Sequence, residues 1–203
     1  SRGLGDVYKR QVEGIKKIVP TPIYATTNTT LNRKNVDHFL DTIQFIYDLG
    51  IRAFGCNSLI YSGKALTVAE EFALSTEELR DLLPRILAEA RALEMKFNWF
   101  TPTQYCTLNP VSLGLGVKSC SACRINMCVS PQGEVYPCQS YFESLGNILT
   151  DKWDSIWNHP RCIEIRNREY APERCKDCPE LQICGAGCPL ELKEKSYVCL
   201  GSQ

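Results

Sequence analysis

Cysteine is the feature that most constrains what this chain can fold into. The 203 residues contain 12 cysteines, and all of them except Cys56 and Cys106 lie from Cys120 onward. So many thiols in one segment are not typical of an ordinary globular domain and favour a centre held by sulfur ligands. The uneven distribution also divides the chain into two regions. We place the boundary near residues 108–117, where Asn109-Pro110, Gly114 and Gly116 predict a linker or turn.

The first region has the pattern of alternating strands and helices. Strands are predicted at residues 22–31, 51–54 and 95–100. An amphipathic helix between the first two strands is predicted to begin after Asn35 as N-cap and to end at Gly50. The capping box Ser75-Thr76-Glu77-Glu78 predicts the start of a second helix. The order β-α-β-α-β predicts an α/β fold, with a parallel sheet and crossover helices.

Polar residues near the ends of these strands are the expected small-molecule ligands. In parallel sheets, ligands bind at the carboxyl ends of the strands. We therefore expect Asn28 and Asn57 to be cofactor-binding positions, with the turn at residues 62–64 as a further candidate. No catalytic residue is predicted. Residues 1–11 do not join the pattern and resemble an adapter sequence, so we expect a non-native segment there and a natural protein that continues upstream.

Charge and hydropathy exclude several classes of partner. Lys and Arg number 23 and Asp and Glu number 23, so the formal net charge is zero. Without a basic stripe, neither nucleic acid nor an anionic membrane is expected as the main partner. No apolar run approaches the roughly 20 residues that a membrane span requires. The N-terminal segment also lacks the pattern of a signal peptide.

The second region contains two cysteine motifs. The stronger is Cys-x2-Cys-x5-Cys-x3-Cys, formed by Cys175, Cys178, Cys184 and Cys188. Gly185 and Gly187 between its last two cysteines allow the backbone to turn tightly. The weaker motif is Gly133-x4-Cys138, where a turn at residues 131–133 predicts a hairpin that delivers Cys138. Cys199 follows near the end of the chain.

Three kinds of sulfur centre are compatible with these spacings. An even number of cysteines allows a disulfide framework, but a chain of this size without a signal peptide does not favour one. Zinc fits the Cys-x2-Cys element, although the x5 and x3 spacings differ from the paired knuckles of zinc ribbons. Two [4Fe-4S] clusters would need eight thiolates, and ten are present from Cys120 onward. Spacing alone favours iron–sulfur centres only moderately.

Together the two motifs and the trailing Cys199 resemble the SPASM domain, the C-terminal extension of a group of radical S-adenosylmethionine (radical SAM) enzymes. The first region is similar to the last strands of the radical SAM partial barrel. The resemblance therefore implies an α/β chain: residues 12–107 as the C-terminal part of a partial (β/α) barrel, and residues 108–203 as a small cysteine-rich α+β SPASM domain. It is strong from residue 120 and weak before it.

The resemblance implies two auxiliary [4Fe-4S] clusters whose ligands cross over between segments. Its second cluster would be held by Cys175, Cys178, Cys184 and Cys199. Its first cluster would take Cys138 and Cys188, completed by Cys120 and Cys123. Cys128 lies too close to Gly133 for the family pattern, although it remains an alternative to Cys120 or Cys123. We expect Cys128 and Cys162 to be small buried hydrophobic side chains.

One part of the family pattern is missing. The Cys-x3-Cys-x2-Cys loop that binds the catalytic cluster does not occur in this sequence. We therefore expect the chain to be a fragment that does not cleave S-adenosylmethionine alone. The full-length protein would bind S-adenosylmethionine and a third [4Fe-4S] cluster.

By resemblance the function is that of a radical SAM oxidoreductase or maturase in the cytoplasm. It would act on a peptide, a protein or a small molecule, with an electron donor such as flavodoxin or ferredoxin. The alternative is a stand-alone cysteine-rich interaction module that holds zinc or inert iron–sulfur clusters and performs no catalysis.

Overall fold

The computed structural model describes residues 4–193. These residues form two compact units. One, the sheet unit, runs to Leu59 and includes Glu71–Phe100. The other, the cysteine unit, contains Ile60–Glu70 and the chain from Thr101 onward. No helix within residues 4–193 is both long and apolar enough to cross a membrane.

The sheet unit is a three-stranded parallel sheet with helical crossovers, as the sequence predicts. Its elements in chain order are α1 (Leu4–Ile18), β1 (Thr27–Leu31), a 3₁₀ turn (Val36–His38), α2 (Phe39–Asp48), β2 (Ala53–Ser58), α3 (Ala65–Phe72), α4 (Thr76–Ala92) and β3 (Lys96–Trp99). The strands lie in the order β1-β2-β3, and both pairings are parallel. Of the residues of α3, 65–70 are assigned to the cysteine unit, and 71 and 72 to the sheet unit.

Apolar side chains from the strands and from α2 and α4 form the core of the sheet unit. Phe54 stacks on Phe97 with ring centroids 5.1 Å apart. Phe39 packs against Phe54 in an edge-to-face arrangement. Leu83 and Ile86 of α4 are fully buried. The predicted capping box starts α4: the Ser75 side chain accepts from the N–H of Glu78, and the Glu78 carboxylate accepts from the N–H of Ser75. This unit is therefore held together by ordinary hydrophobic burial.

Two local predictions for the sheet unit are wrong. Residues 22–26 are not strand, because β2 begins at Ala53 and leaves them without a partner. Asn35 does not cap α2, which follows the 3₁₀ turn and begins after His38. Its side chain instead accepts from the N–H of Asn32 and donates to the carbonyl of Thr30.

The cysteine unit is built from very short elements. These are β4 (Cys128–Val129), β5 (Glu134–Tyr136), β6 (Gly146–Asn147), α5 (Trp153–Trp157), α6 (Pro160–Asn167), α7 (Glu173–Lys176) and α8 (Leu181–Cys184). Strands β4, β5 and β6 form an antiparallel sheet in that order. The predicted hairpin joins β4 to β5: Gly133 has φ +88°, and its N–H donates to the carbonyl of Ser130. Between the cysteines the unit buries few large apolar side chains, chiefly Val135, Tyr141, Leu145, Ile156 and Ile165.

Candidate metal centres

A first group of thiols gathers around Cys120. The Cys120 sulfur interacts electrostatically with those of Cys138 and Cys188. Cys128 also interacts electrostatically with Cys138. In the hairpin, Cys128 of β4 pairs with Tyr136, two residues before Cys138. We call Cys120, Cys128, Cys138 and Cys188 the first group.

Backbone amides are directed at three sulfurs of this group. Burial raises the pKa of each thiol, that of Cys188 to about 12, and the amides act in the opposite direction. The backbone amide of Ala122 lowers the pKa of Cys120, those of Ser140 and Tyr141 lower that of Cys138, and those of Leu190 and Glu191 lower that of Cys188. In each case one of these amides lies two residues further along the chain. Such N–H donors stabilise a thiolate, which is the form that binds metal.

A buried cation lies beside the first group. Arg168 is 4% exposed and has left-handed backbone (φ +59°) at the end of α6. Its guanidinium donates to the carbonyl of Gln182 at 2.7 Å and lowers the pKa of Cys120 against the larger effect of burial. Tyr170, whose pKa is raised by burial and by nearby cysteines, donates to the carbonyl of Gly185 at 2.8 Å. Neither residue is singled out by the sequence motifs.

Cys123 interacts electrostatically with Cys120 but also contacts Cys162, which the sequence does not suggest. Its sulfur lies 2.7 Å from that of Cys162, which is fully buried as expected. Both belong to the apolar core of the cysteine unit. Burial and the Cys162 contact strongly raise the pKa of Cys123. Cys128, by contrast, is only partly buried, so the expectation of a buried hydrophobic side chain is wrong for it. The role of Cys123 as a ligand stays a prediction.

A second group of thiols lies on α7, α8 and the turn between them. Cys175 and Cys184 are buried, and Cys178 is exposed. Burial raises the pKa of Cys175, and the neighbouring thiols Cys106 and Cys184 raise it further. We call Cys175, Cys178 and Cys184 the second group. Cys199, which the resemblance adds to it, lies outside the described residues.

The backbone between the two motif halves turns sharply. Gly185, Ala186 and Gly187 all have positive φ, at +70°, +58° and +90°. A side chain at Gly185 would collide with the Arg168 guanidinium, and one at Gly187 would contact Gln104. This left-handed run separates Cys184, in the second group, from Cys188, in the first. The two predicted centres thus share one continuous motif.

The loop at residues 101–108 also reaches the second group, which the sequence analysis missed. The N–H of Tyr105 donates to the Cys184 sulfur at 3.3 Å, and the Cys184 thiol faces the carbonyl of Thr103. Cys106 follows directly and is exposed. No spacing recognised in the sequence indicated this loop, since only folding brings Tyr105 and Thr103 to α8.

These groups are defined by electrostatic interaction and, for Cys178, by its position between Cys175 and Cys184 in the motif. Within residues 4–193, no three Cys, His, Asp or Glu side chains form a group already arranged around a single metal ion. A four-iron cluster is wider than one ion, whereas thiolates around zinc sit about 2.3 Å from the metal. Thiols that are neighbours without touching are therefore compatible with a cluster between them.

The two predicted cofactor positions of the sheet unit bond each other. Asn28 donates to the Asn57 side-chain oxygen at 2.9 Å, and Asn57 donates to the Thr30 hydroxyl and the Ser58 carbonyl. Asn57 lies near the carboxyl end of β2, as expected. Asn28 does not lie at the end of β1, because that strand begins only at Thr27. Their role in binding a cofactor stays a prediction.

Comparison with known proteins shows which families this chain is similar to. Residues 120–179 match the family model of SPASM, an iron–sulfur cluster-binding domain. Curated relatives include an "AdoMet-dependent heme synthase" of Oleidesulfovibrio alaskensis (22% identical, covering 92% of this chain and 52% of the relative). A "PqqA peptide cyclase" of Ruegeria pomeroyi is 24% identical, and the match covers 89% of this chain and 49% of the relative. The "Antilisterial bacteriocin subtilosin biosynthesis protein AlbA" of Bacillus subtilis is 28% identical, and the match covers 94% of this chain and 41% of the relative.

A solved structure has a similar fold. "Native anSMEcpe with bound AdoMet" matches with a TM-score of 0.53 and 17% identity, over 79% of this chain and 46% of that one. Together these matches confirm the resemblance to radical SAM enzymes with a SPASM domain, and they confirm the α/β fold class. The chain spans about half the length of the curated relatives it matches.

Proposed function

We propose that this chain is the C-terminal portion of a radical SAM/SPASM oxidoreductase or maturase and holds two auxiliary [4Fe-4S] clusters. The observation that carries the proposal is the division of the cysteines into two groups within one unit, the first with backbone N–H donors at three of its sulfurs. Hydrogen bonds to sulfur and nearby charge are the means by which proteins tune such clusters. The residues present therefore fit this cofactor.

The first centre takes Cys120, Cys138 and Cys188 as the resemblance implies. Its fourth ligand is either Cys123 or Cys128. Cys128 interacts electrostatically with Cys138, and Cys123 does so with Cys120. We favour Cys128, because the Cys123 sulfur also contacts Cys162 in an apolar core. The second centre takes Cys175, Cys178 and Cys184, and the resemblance assigns its fourth position to Cys199.

When bound, such clusters exchange single electrons. With four thiolates at each centre, the chain's role is electron transfer rather than direct binding of substrate to iron. An incompletely ligated centre would instead offer a binding position. The names of two relatives mention a peptide cyclase and the biosynthesis of a bacteriocin. A peptide or protein is accordingly the favoured substrate class, with a small molecule as the alternative. S-adenosylmethionine and the third cluster would bind elsewhere in the full-length protein, with a flavodoxin or ferredoxin as electron donor in the cytoplasm.

Cysteine variants of the full chain test this proposal. After reconstitution with iron and sulfide without oxygen, we expect Cys128→Ala and Cys184→Ala to alter different centres, each lowering bound iron by up to about four per chain. Cys123→Ala is the matched control for Cys128 and should keep the wild-type iron content. The reverse result would place Cys123 at the first centre. Equal iron in all variants would refute the two-centre proposal.

A second assay tests whether both centres are auxiliary, so that this chain alone does not cleave S-adenosylmethionine. The chain is incubated with S-adenosylmethionine and dithionite, and 5′-deoxyadenosine is measured by chromatography. We expect none above the level without protein, because the sequence contains no Cys-x3-Cys-x2-Cys loop. Turnover by this chain alone would contradict the assignment of both centres as auxiliary.

A further inference from the structure

We propose that the buried guanidinium of Arg168 is the counter-charge of the first centre and raises its reduction potential. This inference rests on the proposed function, since it requires a cluster at the first group. It concerns a residue that belongs to neither of the two cysteine motifs.

Arg168 carries a charge in a place where a charge is costly. It is the only charged side chain among the described residues that is buried, with 4% of its surface exposed. Taking a charge out of water is unfavourable unless an opposite charge compensates it. The ion pairs within residues 4–193 all involve other cations. The guanidinium donates to the carbonyl of Gln182 at 2.7 Å, but that acceptor is neutral. The described residues therefore give this cation a hydrogen bond and no counter-charge.

The backbone holds Arg168 in one position without explaining why the residue is an arginine. It follows α6 with φ +59°, a conformation in which glycine is the usual residue at a helix end. Its N–H donates to the carbonyl of Ile165 at 3.2 Å, and its carbonyl accepts from the N–H of Ala171 at 2.9 Å. A glycine would make the same backbone bonds with less strain. The end of the helix therefore gives no reason for a charged side chain.

The guanidinium lies between two segments that supply ligands of the first group. A β-carbon at Gly185 would collide with the Nη1 atom of Arg168, and it would meet the β-carbon of Ser119 at 3.2 Å. Ser119 directly precedes Cys120, and Gly185 lies three residues before Cys188. These distances place the charge beside the first group. The lowering of the Cys120 pKa by Arg168 agrees with this position.

A cluster at the first group would supply the missing opposite charge. Four thiolates give a [4Fe-4S] centre a net negative charge, and reduction adds one more electron. A fixed cation nearby, shielded from water, stabilises the reduced form more than the oxidised form. Arg168 would therefore raise the reduction potential of the first centre, and the centre would in turn compensate the buried charge.

Substitution of Arg168 in the full chain, reconstituted with iron and sulfide without oxygen, tests the inference. Arg168→Gln removes the charge and keeps a donor for the carbonyl of Gln182, whereas Arg168→Lys keeps the charge. Arg124→Gln is the matched control, because Arg124 also acts on Cys120 but is exposed. Iron and sulfide are measured, and a redox titration followed by electron paramagnetic resonance gives the potential of each centre. The signal that Cys138→Ala alters identifies the first centre.

We expect Arg168→Gln to lower the potential of the first centre and to leave that of the second centre unchanged. At a fixed potential, the ratio of reduced to oxidised first centre should fall about tenfold, equivalent to 59 mV for one electron. Arg168→Lys should stay closer to the wild type. Arg124→Gln should change the ratio by less than about twofold, because water and salt screen an exposed charge.

An unchanged first-centre potential in Arg168→Gln, or an equal shift in Arg168→Lys or Arg124→Gln, would overturn the inference. If Arg168→Gln lost the first centre altogether, Arg168→Lys would decide. A centre retained by lysine would support the role of the charge, and its loss would show that the shape of arginine matters instead. A wild-type chain that bound no iron and sulfide would refute the proposed function itself, whereas two bound clusters without a shift would refute only this inference.

Discussion

The sheet unit and the cysteine unit differ in what holds them together. The sheet unit has strands of four to six residues, long helices α2 and α4, and buried aromatic and aliphatic side chains. The cysteine unit has two strands of only two residues and helices of four to eight, with a core that includes thiols. Hydrophobic burial stabilises the first, whereas we expect the second to depend on ligand bonds to a metal centre. Cysteine illustrates the difference: burial in β2 strongly raises the pKa of Cys56, an isolated thiol, while the thiols of the cysteine unit occur in groups.

Of the changes considered, removal of the metal should have the largest effect on stability, and it should unfold only the cysteine unit. Chelation of the clusters under anaerobic conditions is expected to unfold the cysteine unit, because metal binding supplies much of its folding free energy. Hydrogen exchange measured by mass spectrometry on the full chain should show lost protection in residues 128–167 and retained protection in α2 and α4. Unchanged exchange in residues 128–167 would contradict this comparison.

A cavity in the sheet unit should destabilise the sheet unit and leave the cysteine unit and its bound iron unchanged. Leu83 is fully buried in α4, so Leu83→Ala should lower the free energy of unfolding of the sheet unit by about 2–5 kcal/mol. Bound iron should not change. Phe45→Ala is the control on α2, since Phe45 is half exposed and its loss should cost less. Denaturant unfolding and iron analysis measure both effects, and loss of iron in Leu83→Ala would show that the units are not independent.

The hairpin turn offers a smaller, local test of the cysteine unit. Gly133 has φ +88°, and a β-carbon there would lie 2.5 Å from the Asn147 side-chain oxygen. Gly133→Ala should therefore cost more than the roughly 1–2 kcal/mol of left-handed backbone alone. Gly114→Ala is the matched control, with φ +74° and no atom within 4 Å of the added carbon. If thermal melts of the two variants coincide, the close contact at Gly133 has no energetic role.

The capping box of α4 should give the smallest effect, and one that depends on pH. The Ser75 N–H, followed by Arg33, lowers the pKa of Glu78 below 4.5. The ionised carboxylate therefore stabilises the sheet unit at neutral pH, and this contribution is lost as the pH falls below 4.5 through the lowered pKa. Glu78→Gln should cost less than about 1 kcal/mol at pH 7, because the site is exposed. The difference from wild type should shrink in acid, and a difference that grows would be inconsistent with the capping role.

Local patterns in the sequence predicted the elements that local interactions determine. The capping box at Ser75 and the turn at Gly133 both form as expected, because their hydrogen bonds join residues three apart. The parallel sheet followed from the order of strands and helices. The strand at residues 22–26 was wrong because a strand also needs a partner, and that depends on where β2 begins.

The candidate site was predictable where its ligands lie in one motif. The spacing of Cys175, Cys178 and Cys184 indicated one centre, and Cys138 followed from its hairpin. The contact between Cys123 and Cys162 joins residues 39 positions apart, so no spacing could reveal it. The N–H of Tyr105 reaches the Cys184 sulfur only through the folded loop at residues 101–108. The contacts that the sequence analysis missed therefore depend on long-range packing, which the spacing of a motif does not reveal.

The most direct test of the central claim is the metal content of the full chain, purified without oxygen. Iron, acid-labile sulfide and zinc are measured per chain, and Mössbauer spectroscopy identifies the type of cluster. Two [4Fe-4S] centres predict about eight irons and eight sulfides. About two zinc ions without sulfide would contradict the account and would leave a zinc-binding interaction module in its place.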